Sequence, residues 1–397
     1  PVTNTIINID AQRNFIFVNN QLQAKLLEDF LSPLPSFFDE HIEPNSLGKV
    51  INKNTTEIPS WEDVDIAIVG VLEGRNTSNK ETTLAPNQIR KELYGLTSSS
   101  SKVKIVDLGN IEAGKTFNDT QFALQEVVKT LLANSVVPVV LGGSKELGYA
   151  QFAAYQKIIK NLDATIISPR VDLSKHAFLS KICLHEPNFL FNINCIAYQS
   201  HYVAEKSVST LRKLFFNPIR LGVLRSNLAD IEPVLRDTDM SIFDIGAIKQ
   251  SDAPGNHDNN PSGLSSEEAC QLCWYAGISE KMRSFGIYEL NPEFDYRNTT
   301  SKLAAQMIWY FLDGYANRKG DHPELHNEFL KYRCTMVQNE PDVVFYKSKR
   351  TERWWMEIPG PISSKNLVIP CRYSDYTMAT KGEMPDLFFK ALQKNLK

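Results

Sequence analysis

Long apolar runs, a charge excess of either sign and paired cysteines are all scarce in this sequence. No apolar stretch approaches the roughly 20 residues that cross a bilayer, so no membrane insertion is expected. The start of the chain has no basic segment followed by an apolar core. A signal peptide is therefore not expected, and the chain reads as cytoplasmic. The 397 residues carry a net charge of only −3, which argues against a nucleic-acid-binding surface. The six cysteines, Cys183, Cys195, Cys270, Cys273, Cys334 and Cys371, are scattered. In a chain of this length that pattern fits a reducing compartment better than a disulfide framework. Cys270 and Cys273 form one CxxC with no second Cys or His pair at zinc spacing, so they read as two buried thiols one helical turn apart. No GxGxxG, P-loop, GxSxG or HExxH motif occurs, which leaves nucleotide binding and triad hydrolysis without support.

What is present is a globular composition, 42% hydrophobic and 22% charged, with strands alternating with helices. The organising stretch is 136–147, ValValProValValLeuGlyGlySerLysGluLeu. Its first half is the continuous apolar run of a parallel strand covered on both faces. Gly142 and Gly143 allow a sharp turn. From Ser144 the spacing of Leu147, Ala150, Ala154 and Ile158 predicts a helix. Ligands of open α/β sheets sit outside the carboxyl ends of strands, so Ser144 and Lys145 mark the place to look.

In chain order, 1–60 reads as an N-terminal arm with a short helix over 21–30. Buried strands follow at 65–71, 104–110, 136–141, 164–173, 190–198, 219–223, 240–248 and 284–292. Helices are predicted from Pro86, over 118–132, after the SerSerGluGlu stretch at 265–268, and over 301–315. This alternation predicts an α/β domain over 61–318, with a mostly parallel sheet covered on both faces. Residues 319–397 read as a β-rich C-terminal extension packed on that domain, with Trp354 and Trp355 against its sheet.

Four strand ends carry the polar motifs: GlyGlySerLys at 142–145, SerProArgValAspLeu at 168–173, PheAspIleGlyAlaIleLys at 243–249 and GluLeuAsnPro at 289–292. Their order and spacing resemble the ureohydrolase superfamily of arginases, agmatinases and formimidoylglutamases, and most of all bacterial formimidoylglutamase-like proteins. The resemblance implies a three-layer α/β/α arginase-like fold. It also implies two manganese ions at the strand ends, with a bridging hydroxide that attacks a guanidinium or formimino carbon.

Matched position by position, the family's metal ligands are largely replaced. Lys145 stands for the first histidine. Ser168 and Arg170 stand for the Asp and His of the second motif, and Asp172 keeps its last aspartate. Asp244 is kept in the third motif, where Gly246 replaces the second aspartate and Lys249 a later one. Two carboxylates cannot furnish shells for two hard dications, and charged Lys and Arg cannot ligate. Manganese is therefore expected to be absent. An ion-pair network of Lys145 and Arg170 with Asp172 and Asp244 is expected in its place. Glu289 matches the carboxylate that holds the substrate's guanidinium or formimino group in relatives. His185 lies near the position of the arginase proton-shuttle histidine. The expected role is a non-catalytic binding, scaffolding or regulatory protein, engaging a small ligand or protein partner and forming a homo-oligomer. The alternative is a hydrolase of linear amidines.

Overall fold

The computed structural model describes residues 27–39, 43–98, 103–336, 341–360 and 366–395. The remainder of the helix expected over 21–30 lies outside these residues; 27–30 are helical.

Among the described residues, nine parallel strands form the main sheet: β1 (Asn52–Lys53), β2 (Ile66–Val71), β3 (Ile105–Ile111), β4 (Val137–Leu141), β5 (Leu162–Ile167), β6 (Leu190–Tyr198), β7 (Asn217–Arg220), β8 (Met240–Asp244) and β9 (Ser284–Tyr288). Their order is β1-β3-β2-β4-β9-β8-β5-β6-β7. The four motif-bearing strands β4, β9, β8 and β5 are thus neighbours at the centre of the sheet. In register, Leu141 faces Ile287, Ile287 faces Phe243 and Phe243 faces Ile167. The turns that follow all leave the sheet at one level.

Alternate side chains of these fully buried strands feed two cores. Ile66, Ile68, Val139, Leu141, Phe285 and Ile287 pack under the helices Ala85–Leu93, Ser266–Gly277 and Thr299–Ala316. Ala67, Val69, Val140, Ile166 and Ile242 pack under Phe117–Ala133, Gly148–Ala153 and Phe178–Cys183. A period of two along each strand, buried on both faces, makes them read as unbroken apolar runs. The described part of 1–60 joins both cores: Leu27 and Leu31 on one face, Leu34, Phe38, Leu47 and Ile51 on the other. It also supplies the edge strand β1, paired with β3.

Several expected elements end earlier than the sequence spacing suggests: the strands expected at 164–173, 240–248 and 284–292 stop at Ile167, Asp244 and Tyr288, and two further elements are cut short. The helix after Ser144 begins as a 3-10 turn over Lys145–Leu147 and stops with Ala153, so Ile158 lies beyond it. The strand expected at 219–223 is the edge strand β7, and Leu221–Ser226 is already helical. Pro218 within it removes a backbone donor, which suits an edge position.

Beyond the main domain, β10 (Phe329–Cys334), β11 (Val343–Ser348), β12 (Trp354–Ile358) and β13 (Leu367–Cys371) form a separate antiparallel sheet. Two helices that the sequence reading omitted, Tyr373–Thr380 and Asp386–Asn395, follow it. Phe388 and Ala391 of the last helix share a core with Phe345, Met356 and Ile369 of the sheet. Trp355 is buried against the main domain, its ring 4.2 Å from the Arg236 guanidinium. Arg236 also donates to the Trp354 carbonyl at 3.1 Å.

Candidate functional site

The turn after β4 can only be made by glycine. A Cβ on Gly143 would sit 1.9 Å from the Glu73 carbonyl oxygen, and one on Gly142 would sit 2.1 Å from the Tyr288 ring. The chain packs backbone on backbone here, and Ser144 N–H donates to the Glu73 carbonyl at 2.9 Å. Ser144 then caps the short helical turn, its hydroxyl accepting from Glu146 N–H. This geometry aims Lys145 across the strand ends toward β8.

Lys145 Nζ donates to Asp244 Oδ2 at 3.0 Å, and Ser168 Oγ donates to the same oxygen at 3.0 Å. Asp244 Oδ1 accepts from Gly246 N–H at 2.8 Å. The Asp244 side chain is 2% exposed and that of Lys145 25%. Burial works against the Lys145 charge, but Asp244 and Glu289 outweigh it and raise its pKa. The ammonium therefore stays charged at all ordinary pH.

Glu289 is the second anchor. It is buried and adopts φ +68°, left-handed for a non-glycine residue. Its Oε1 accepts from Lys145 N–H at 2.8 Å, and its Oε2 from Thr77 Oγ1 and Asn79 Nδ2, each at 3.2 Å. Its carbonyl accepts from the Asn79 and Asn256 amides at 2.8 and 3.0 Å. Burial raises its pKa, with Lys145 opposing. The carboxylate that the resemblance assigned to a substrate is thus bonded to the chain itself.

Arg170 and Asp172 depart from the expected network. Arg170 pairs with Asp258 of the 249–263 loop at 3.3 Å and lies over the Tyr202 ring at 4.5 Å. Asp172 is exposed, and its Oδ1 accepts from Ser174 N–H at 2.8 Å in a local turn. The reason is position. Arg170 and Asp172 lie past the end of β5, where the chain has turned outward, whereas Ser168 directly follows the strand and still faces β8. Gly246 has little room for an aspartate: a Cβ would be 3.0 Å from Asp244 Oδ1 and 3.4 Å from the Asn256 amide. Lys249 pairs locally with Asp252 at 3.3 Å. His185 belongs to an aromatic cluster. Its Nδ1 is 3.0 Å from Tyr149 Oη, and its ring lies edge-on to Phe152 and Phe189. Its Nε2 is buried without a partner, and burial lowers its pKa.

Thr77 and Asn79 were not among the residues expected at the site. Thr77 and Asn79 lie in the polar loop that follows β2. Arg75 itself turns onto Glu73 and the Gly114 carbonyl.

The donor chemistry bears directly on a metal. Each oxygen of Asp244 already accepts from a group of the chain, and the nearest cation on it is Lys145. Among the described residues, no three His, Cys, Asp or Glu side chains are grouped to hold an ion. This donor set does not fit two hard dications, which need several oxygen or imidazole ligands each. The cavities of about 580, 560 and 480 Å³ lie elsewhere, and none includes Lys145, Asp244 or Glu289 in its walls.

The sequence signature of the arginase family matches residues 64–168 and 219–313. The formimidoylglutamase of Streptococcus gordonii is 24% identical over 73% of this chain and 99% of its own length. That of Bacillus subtilis is 24% identical over 66% and 92%. A crystal structure of Trypanosoma cruzi formiminoglutamase with Mn2+ superposes at a TM-score of 0.62, with 21% identity over 69% of this chain and 99% of that one. The B. subtilis formimidoylglutamase structure superposes at 0.60, with 20% identity over 72% and 95%. The matched family residues end at 313, before the antiparallel sheet begins.

Proposed function

Because the chain belongs to the arginase family, in its formimidoylglutamase-like branch, we propose that it is a non-catalytic member in which a side-chain ion pair stands where relatives place their reaction centre. The observation that carries this reading is the Lys145–Asp244 pair at 3.0 Å with Ser168 on the same carboxylate oxygen. One buried carboxylate balanced by one ammonium is electrically complete. Three of the roughly four lone-pair positions of the Asp244 carboxylate are taken by the chain, and its charge is matched by an ammonium instead of a metal ion that would activate water. Glu289, bonded to Lys145, Thr77 and Asn79, is likewise spent on the fold. In this reading the scaffold is retained for binding, and the ligand or partner is met outside the strand ends.

The test is release of formamide from N-formimidoyl-glutamate, and of urea from arginine, with manganese added. The expected result is no release above the protein-free rate. Saturable release that disappears in Asp244→Asn would establish the alternative, hydrolysis of a linear amidine.

A further inference from the structure

The helices Ser266–Gly277 and Thr299–Ala316 cross where two glycines meet. A Cβ on Gly277 would sit 2.2 Å from the Phe311 carbonyl oxygen, and one on Gly314 would sit 2.6 Å from that of Trp274. The two backbones therefore touch at this crossing. On its N-terminal side they leave an outer groove of about 480 Å³. This volume is in the range of small-molecule sites. Cys270, which is buried, lies in its walls with Trp274, Tyr310, Gln306 and Glu267.

The charge in these walls has one sign. Glu267 carries the one full charge among the lining residues at neutral pH. Hydrogen bonds from its own N–H and from the Ser265 and Ser266 hydroxyls hold its carboxyl below the usual carboxylate range. The charged group it feels most is another carboxylate, Asp252, which Lys249 already takes at 3.3 Å. Glu267 itself forms no ion pair among the described residues. A second carboxylate holds the indole: Trp274 Nε1 donates to Asp313 Oδ2 at 3.1 Å, which fixes the orientation of the ring. Asp313 likewise has no cationic partner among the described residues. Tyr310, on the other helix, is 40% exposed. Its ring is braced edge-on by Trp309 at 5.3 Å, while that of Trp274 meets Tyr275 at 6.0 Å, so neither groove ring is spent on the other. Trp274 also stands in the last turn of its helix, where the backbone dipole favours a cation. Two aromatic rings beside an uncompensated carboxylate suit an organic cation. The ring quadrupoles and Glu267 attract its charge, and its apolar substituents displace water from the rings. An anion would be repelled by Glu267.

We propose that this groove is a binding site for a small organic cation, an alkylated ammonium or a guanidinium, held by Trp274 and Tyr310 with Glu267 as its counter-charge. The site lies in the helical layer, separate from the strand ends, and does not depend on whether they are catalytic.

The test is isothermal titration of the full-length protein, at constant ionic strength, with choline, methylguanidinium and 3,3-dimethylbutan-1-ol. The last has the shape of choline with carbon in place of the charged nitrogen. One-to-one binding of either cation is expected, with the neutral alcohol about tenfold weaker or more, and the tighter cation identifies the head group. The double substitution Glu267→Gln/Tyr310→Leu is expected to weaken cation binding about tenfold or more with an unchanged circular dichroism spectrum. Glu267→Gln alone, at an exposed position, is expected to weaken it about threefold. Glu205→Gln, which removes an exposed carboxylate outside the groove walls, is expected to bind like the parent. Absence of binding by both cations, neutral alcohol bound as tightly as choline, or undiminished binding in Glu267→Gln and the folded double variant would overturn the assignment.

Discussion

Lys145 and Asp244 come from turns 99 residues apart in sequence, yet their charged atoms meet at 3.0 Å above the centre of the sheet. The pair is asymmetric, because the carboxylate is almost fully buried while the ammonium keeps some contact with water. Asp244 therefore depends on Lys145 more than the reverse. Ser168 and the Gly246 N–H complete its shell but bring no charge.

Removing only the ammonium should thus be costly. Lys145→Met is expected to destabilise the fold by about 3–5 kcal/mol, since it leaves a buried carboxylate without its counter-charge. The double substitution Lys145→Met/Asp244→Leu is expected to recover at least half of that loss. Urea denaturation of both variants checks this. An Asp244 that serves only as an exposed ligand would make Lys145→Met nearly neutral.

Glu289 gives a second prediction. Its carboxylate satisfies the Lys145 backbone N–H and the Asn79 amide. Glu289→Ala is expected to cost about 2–4 kcal/mol by orphaning those buried donors. A carboxylate reserved for substrate would cost little stability when removed, so equilibrium unfolding distinguishes the two roles.

The strand-end region also has a pH signature. Burial raises the Glu146 pKa from an ordinary 4.5 to about 7, with Lys181 and Lys145 opposing. A carboxyl with a raised folded-state pKa holds more protons folded than unfolded. Its contribution is complete below about pH 4.5 and is lost as pH rises through about 7. Glu146→Gln is therefore expected to be more stable than the parent by about 1–2 kcal/mol at pH 8, allowing for its partial exposure, and not at pH 4. Parallel stability curves for the two proteins from pH 4 to 8 would contradict this.

The cysteines offer a check on the packing as a whole. All six are free, five are buried and Cys183 is half-buried. Burial pushes the Cys183 thiol up to about 11 and Cys270 up to about 12, so thiolate is scarce at neutral pH. Ellman's reagent at pH 8 is expected to titrate at most one thiol per native chain and all six after unfolding in guanidinium.

The central strands and their glycine turn were legible because their signals are local. Val136 to Gly143 carries its burial and its turn within a few residues, and motif spacing placed Lys145, Ser168 and Asp244 at one sheet end. The partners were less legible. Arg170 meets Asp258 across 88 residues, and Glu289 meets Asn79 across 210, distances over which spacing carries no contact information. The expected pairing of Arg170 with Asp172 failed for a related reason: three and five residues past the end of β5 are enough to turn these side chains away from the sheet axis. In the C-terminal unit the aromatic residues of Tyr373–Thr380 and Asp386–Asn395 have strand-like propensity, but their one-sided burial on the antiparallel sheet makes them helices.

The chemistry of the strand ends depends on what holds the Asp244 carboxylate. Its most direct test is elemental analysis by mass spectrometry of protein purified with manganese present and then passed through gel filtration in metal-free buffer. The ion-pair centre predicts less than about one manganese per ten chains. Retention of one or two manganese ions per chain, lost in Asp244→Asn, would contradict it.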